Sequence, residues 1–437
     1  MAILTKDQAY EILKKVVQFS KADHCSVNLG GSNQGNIRYA RNTVSTSGME
    51  SNISLAISSA FGKRTGVATT NELDDDSLKR AVARSEELAR LSPENPEYME
   101  PLEPQEYKKA NTFFQSVADI EPKYRAMATK DSIAYTKEKG LIAAGFIEDG
   151  YGFSSLMNSK GLFAYNKSSS LDFTLTVRTK DGTGSGWVSR DVNDLKYFDI
   201  MEATQTAAAK AAMSANAKAI EPGKYTVILE PAAAAGLIGN MFYSMGARSA
   251  DEGRSFLSKE GGTKLGEKMF DERITIYSDP MNELVPGGTW SGDGQPQVKR
   301  NWVEKGVVKN LFYSRYWAKE KGVNPVPFPS NGIMVGGDKS TQELIASTER
   351  GVLVTRLWYI RTVDPQTLLY TGLTRDGTFY IENGKIKYPI KNMRFNESPV
   401  IMLNNLEELG KAERTGGNLI PSMKIRDFTF TSLSDAI

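Results

Sequence analysis

Apolar residues recur along this chain with two alternating periods. Ala9, Ile12, Leu13, Val16 and Val17 fall on one stripe and predict a helix over about residues 5–20. In Asn52-Ile-Ser-Leu-Ala-Ile-Ser58 the period drops to two, as in a half-buried strand. Between these segments Gly30, Gly31, Asn33 and Gly35 read as a turn. A second helix is predicted from Asp75 to Leu91, and Pro93, Pro96, Pro101 and Pro104 then mark an extended connector. A third helix is expected over Pro122–Lys139, stopped by Gly140. Leu171, Phe173, Leu175 and Val177 share one strand face and Asp172, Thr174, Thr176 and Arg178 the other.

An alanine-rich helix over Ile200–Ala219 stops before Glu221-Pro222-Gly223, which ends the helix and permits a sharp turn. Tyr225–Leu229 reads as a buried strand running into a small-residue helix that begins near Pro231. Short strands are expected at Arg273–Tyr277, Val352–Thr362, Leu368–Gly372, Thr378–Glu382 and Lys424–Thr431, with Asn383-Gly384 as a hairpin turn. The predicted class is α+β. An N-terminal mixed α/β domain spans 1–220, with a possible subdivision near 93–120, and a β-rich domain with few helices spans 221–437.

A length of 437 residues exceeds one ordinary core, and 40% hydrophobic with 24% charged residues is a soluble globular composition. The 54 basic and 52 acidic residues nearly cancel, and no charge block points to nucleic acid or a membrane surface. No apolar run approaches the roughly 20 residues needed to cross a bilayer. The N-terminus reads as an amphipathic helix rather than a signal peptide, so the expected location is cytoplasmic. A single cysteine, Cys25, excludes an intramolecular disulfide. It adjoins the single histidine, His24, and adjacent strand residues point to opposite faces, so a structural role is expected for both. Asp74, Asp75 and Asp76 stand where a helix begins and read as capping rather than as a calcium site. Gly336–Thr341 lacks phosphate-loop spacing and reads as a turn before a helix capped by Ser340. Trp290, Trp302, Trp317 and Trp358 read as core or interface.

Several ordered blocks carry a resemblance over most of the chain. They are Gly62-Lys-Arg-Thr-Gly-Val-Ala-Thr-Thr-Asn71, Val227-Ile-Leu-Glu-Pro231 leading into Ala232–Met241, and Arg254-Ser-Phe-Leu257 with Leu265-Gly-Glu267 and Ile274 through Asp279-Pro280. The last is Phe379-Tyr-Ile-Glu-Asn-Gly-Lys-Ile-Lys-Tyr-Pro389. In these the chain resembles the TldD/TldE (PmbA) family. TldD-type members resemble zinc peptidases with a His-Glu-x-x-x-His helix and a later cysteine ligand, the glutamate polarising the bound water. The resemblance places that motif on Gly239, which has no ligand atom, Asn240, a poor base, and Ser244, a weak neutral zinc ligand, and Thr415–Pro421 lacks the cysteine. No histidine exists beyond residue 24. This is the TldE pattern. It implies no catalytic or metal residues and no cofactor in this chain, with zinc expected in a TldD-like catalytic partner. A heterodimer with that partner is expected, a homodimer in isolation, and an unstructured peptide as substrate. The family also carries the label "modulator of DNA gyrase", which no DNA-binding chemistry in this sequence supports. Where relatives carry an Asp-Asp-Glu-Gly stretch, this chain reads Ser291-Gly-Asp-Gly-Gln-Pro296, keeping one acid, Asp293. The competing readings are a stand-alone metal-dependent hydrolase using carboxylates such as Glu230, Asp251, Glu252 or Asp293 for a non-zinc metal, and a binding or regulatory module with no peptidase partner.

Overall fold

The first helix, Lys6–Phe19, begins at Thr5, whose hydroxyl accepts from the Gln8 amide while the Gln8 side chain accepts from Thr5 N, and it buries Ala9, Leu13 and Val16. The computed structural model to which it belongs describes residues 3–434. This helix and the Asp75–Leu91 helix pack on one end of a six-stranded antiparallel sheet. Its strands are β1 (His24–Ala40), β2 (Thr43–Phe61), β3 (Arg64–Thr70), β4 (Ile142–Asn158), β5 (Phe163–Arg178) and β6 (Ser185–Val192), in the order β3-β2-β1-β4-β5-β6. Helices Pro122–Glu138 and Ile200–Met213 cover the other end.

The glycine-rich stretch expected to turn does not. Gly30–Gly35 lies inside the 17-residue strand β1, and the chain reverses at Arg41-Asn42, whose φ of 52° and 59° suit a two-residue hairpin turn. The glycines mark close approach instead. A Cβ on Gly31 would come within 2.7 Å of the Phe153 ring, and one on Gly35 within 2.3 Å of the Arg125 guanidinium. They form a waist between two cores: Cys25, Val27 and Leu29 join the first, and Ile37 and Tyr39 the second. Arg125, 2% exposed, bonds both oxygens of Asp149 beside that waist, at 2.8 and 2.9 Å.

The rest of the chain builds a 13-stranded mixed sheet with few helices, so the class is α+β as the sequence pattern indicates. Its central strand, Lys224–Leu229, runs parallel to Arg350–Val354 and antiparallel to Asn418–Leu433. The largest core, with Trp302, Phe270, Phe395 and Phe428, packs around it. Some predicted elements change bounds. The alanine-rich helix ends at Met213, because Asn216 turns left-handed (φ 56°) and Lys218 bridges to Ile390. The Val352–Thr362 stretch splits into Arg350–Val354 and Leu357–Asp364, where Arg356 leaves to bind Asp376 at 2.7 Å. Only Ile276–Ser278 of the Arg273 region is strand, since Arg273 folds back onto Asp271 at 2.8 Å. Asn383-Gly384 turns with φ of 51° and 73°, as predicted.

Candidate functional site

The Pro231–Tyr243 helix starts with proline in its first turn, where the missing N–H is harmless, and buries Ala233, Ala234, Leu237, Ile238 and Met241. Its remaining side walls a cleft of about 310 Å³ with the Phe328–Gly332 segment and Gly416, Gly417 and Asn418. Gly239 and the C-terminal Thr415–Pro421 segment, nearly 180 residues apart in sequence by the numbering, therefore meet at one site. A Cβ on Gly239 would touch nothing within 4 Å, so a side chain there would project into open space.

The opposite wall is a hairpin turning on Gly416-Gly417, both left-handed (φ 55° and 71°), between the paired residues Thr415 and Asn418. Asn418 Oδ1 accepts from the Gly332 amide at 2.7 Å and its Nδ2 donates to Gly416 O at 2.7 Å. Buried Asn331 is likewise occupied, accepting from Asp279 N and donating to the Asp279 and Val285 carbonyls. The amides of the cleft thus shape its wall and are committed to backbone partners.

The other two motif positions lie elsewhere on the helix. Asn240 Nδ2 donates to Gly236 O at 2.7 Å, and the Ser244 hydroxyl donates to Asn240 O at 3.0 Å and lies 3.2 Å from the Tyr370 hydroxyl. Ser244 lines a neighbouring depression with Arg254 and Gln366. A zinc site needs three ligands from imidazole, thiolate and carboxylate. The lining of the Gly239 cleft contains no His, Cys, Asp or Glu, and no group of three or more such residues is placed to hold a metal ion among the described residues. The donor set does not fit zinc.

Nor are the four carboxylates of the competing metal reading brought together. Glu230 pairs with Lys210 at 2.5 Å, Asp251 accepts from Trp317 Nε1 at 2.7 Å, Glu252 sits between Arg248 and Arg254, and Asp293 accepts from Ser291 and Gln295. His24 lies 3.7 Å from Glu100, while Cys25 is buried and its thiol is pushed up to about 11 by that burial. Asp74 caps its helix by accepting from Ser77 N at 3.0 Å, and Ser340 forms a full capping box with Glu343. Trp302 is core, whereas Trp358 is exposed.

Sequence reasoning missed a carboxylate row. Glu148 faces Asp172 across β4 and β5, and Asp172 faces Asp191 across β5 and β6. Asp172 touches solvent, yet surrounding protein and then the Asp191 and Glu148 charges push its carboxyl up to about 6. Asp191 in turn holds Arg414, on the strand leading into the Gly416-Gly417 turn. The alternation along β5 gave Asp172 its face; only the register gave it two acidic neighbours.

The helix-backed antiparallel sheet and the large mixed sheet with its helix-walled cleft carry the three domains of one metallopeptidase family. Models of PmbA/TldA metallopeptidase domain 1, central domain and C-terminal domain match residues 25–89, 116–218 and 222–432. The chain belongs to the TldD/PmbA metallopeptidase family. It is 25% identical over 291 residues to a "Metalloprotease" of Methanothermobacter thermautotrophicus, a match covering 60% of this chain and 61% of that protein. To "Metalloprotease PmbA" of Escherichia coli O157:H7 it is 22% identical over 214 residues, 46% of each chain. These matches span less than two thirds of either relative. TldE from Thermococcus kodakarensis shares the fold with a TM-score of 0.88 at 18% identity, covering 97% of this chain and 99% of that one. A Bacteroides thetaiotaomicron protein bearing the DNA gyrase modulator label does so at 0.87 and 21%, covering 98% and 100%.

Proposed function

We propose that this chain is a non-catalytic, substrate-handling subunit of a TldD/TldE-type cytoplasmic zinc metallopeptidase acting on unstructured peptides. The observation that carries the reading is the donor set of the Gly239 cleft. The helix and hairpin that wall it are both present, and its lining offers no imidazole, thiolate or carboxylate. Zinc and the water it activates then belong to a TldD-like partner bearing His-Glu-x-x-x-His, and the working unit is a heterodimer, with a homodimer available in isolation. A strand edge for peptide handling is on hand: among the described residues Leu357–Asp364 pairs on one side only, with Leu369–Thr374, and it exposes Trp358, Tyr359 and Val363. The likeness to a protein named TldE agrees with this subunit assignment. No helix among the described residues is long and apolar enough to span a membrane, and a lone buried cysteine suits a reducing compartment.

Elemental analysis of the tag-free chain, after incubation with zinc and dialysis, is the first test. Near-zero metal is expected, together with a stable complex on mixing with a TldD-like chain. One retained metal ion per chain would overturn the reading.

A further inference from the structure

Away from the Gly239 cleft, the proline-rich connector passes along the outer side of β5 and walls a groove of about 690 Å³. Lys6, Lys108, Lys109 and Lys167 line it, and no aspartate or glutamate does. Basic and acidic residues nearly cancel over the whole chain, so this is a local excess of positive charge. Among the described residues none of the four lysines has a salt-bridge partner; Lys6 and Lys167 lie over the rings of Phe163 and Phe113, at 5.9 and 5.6 Å.

The same groove contains an unfinished sheet edge. β6 pairs with β5 only over Leu171–Arg178, which leaves the outer edge of Phe163–Ser170 without a strand. Thr112 occupies the far end of that edge, its carbonyl accepting from Ser169 N at 2.9 Å and its hydroxyl donating to Lys167 O at 2.5 Å. By the alternation of an antiparallel ladder, the N–H and C=O of Tyr165 and Phe163 point the same way, into the groove. A ligand answering both features has an extended amide backbone and anionic side chains.

We propose that this groove binds an extended acidic peptide segment, which adds as a short strand along Phe163–Lys167 with its carboxylates against the four lysines. Single-stranded nucleic acid would match the charge but needs free ring faces for its bases. The rings here are already engaged with one another: Tyr165 stacks on Phe153, Tyr107 packs on Trp290, Phe163 meets Tyr10 edge-on, and Phe113 meets Tyr151. The proposal rests on this groove alone and does not depend on the subunit assignment above.

Fluorescence anisotropy with the full chain tests it, using a labelled peptide of roughly ten residues alternating Glu and Thr, the size of one added strand with overhang. Saturable binding is expected, weakened about tenfold or more by Gln in place of Glu, by N-methylation of alternate amides, and by the Lys108→Glu/Lys109→Glu variant. Lys167→Gln provides a second groove variant with a smaller change, and Lys385→Glu/Lys387→Glu, on a distant edge strand, should leave binding unchanged. Absence of saturable binding overturns the proposal, as does binding indifferent to the groove variants. So does tighter, groove-dependent binding of an oligothymidine of similar length, which would make the site one for nucleic acid.

Discussion

One carboxylate oxygen of Asp191 accepts from Arg414 Nε at 2.7 Å and from the Gly417 amide at 2.9 Å. Asp191 stands on the edge strand of the first sheet; Arg414 lies on the strand leading into the hairpin turn that walls the Gly239 cleft in the second, and Gly417 lies in that turn. Both charged side chains are largely withdrawn from water. The shape of the cleft is therefore set in part by a residue from the other half of the molecule. Replacing Asp191 by Ala leaves a mostly buried guanidinium and a turn amide without their acceptor, and should lower stability by about 2–3 kcal/mol. Urea unfolding measures the loss, and amide exchange should quicken at Gly417; unchanged exchange there would count against the coupling.

Gly239 has a helical neighbourhood, open space where its side chain would be, and no need of a left-handed backbone. Gly239→Ala should raise stability by about 0.5–1 kcal/mol, the usual difference between the two residues inside a helix. Gly236→Ala, three residues earlier, should give a smaller gain, because its Cβ would come within 2.9 Å of Ile360 Cδ1, which must shift to admit it. Thermal melts of the two variants compare them directly.

Restoring two histidines should not restore a peptidase. Residue 239 faces the cleft while Ser244 is bonded to Asn240 O and Tyr370 at the helix end, and no third ligand or general base stands by. Gly239→His with Ser244→His is expected to give no cleavage of an unstructured protein such as casein in the presence of zinc. Robust turnover would contradict this description of the cleft.

The Arg125–Asp149 pair sits at the waist of the first sheet, with burial pushing the Asp149 carboxyl up against the opposing pull of Arg125. Arg125→Met leaves that carboxylate buried and alone, and should cost about 3–5 kcal/mol. Adding Asp149→Leu should return much of the loss, since removing both charges also removes the cost of desolvating them. A denaturant double-mutant cycle reads the coupling, and additive losses would refute it.

Asp172 has a pH signature. Its carboxyl is raised to about 6 in the folded protein, from an ordinary value near 3.8, so the folded state holds this proton more tightly than the unfolded state does. The stability it contributes is fully present below the unfolded value and is lost as pH climbs toward 6. Asp172→Asn should accordingly raise the melting temperature more at pH 7.5 than at pH 4. Equal shifts at both pH values would show that burial and the neighbouring acids do not raise the Asp172 carboxyl.

Much of the secondary structure was legible because it rests on local chemistry. The Asp75–Leu91 helix, its Asp74 cap, the Asn383-Gly384 hairpin and the alternating face of β5 follow from periodicity and from side chains that serve the backbone beside them. The misread turn at Gly30–Gly35 shows the limit. Glycines that permit a reversal and glycines that admit a neighbour's ring or guanidinium look alike in sequence, and the distinction lies with Phe153 and Arg125, more than 85 residues further on by the numbering.

The sequence by itself determined that no imidazole other than His24 and no thiol other than Cys25 exists to reach the Gly239 cleft, because ligand chemistry is a property of residue types. Tertiary structure decided the rest. It brought Gly239 to Gly416 and Gly417, separated Gly239 from Ser244, aligned Glu148, Asp172 and Asp191 in one row, and gathered four lysines along an open strand edge. Such juxtapositions depend on strand register and on which chain ends meet, and the energies that fix them come from contacts between residues far apart in sequence.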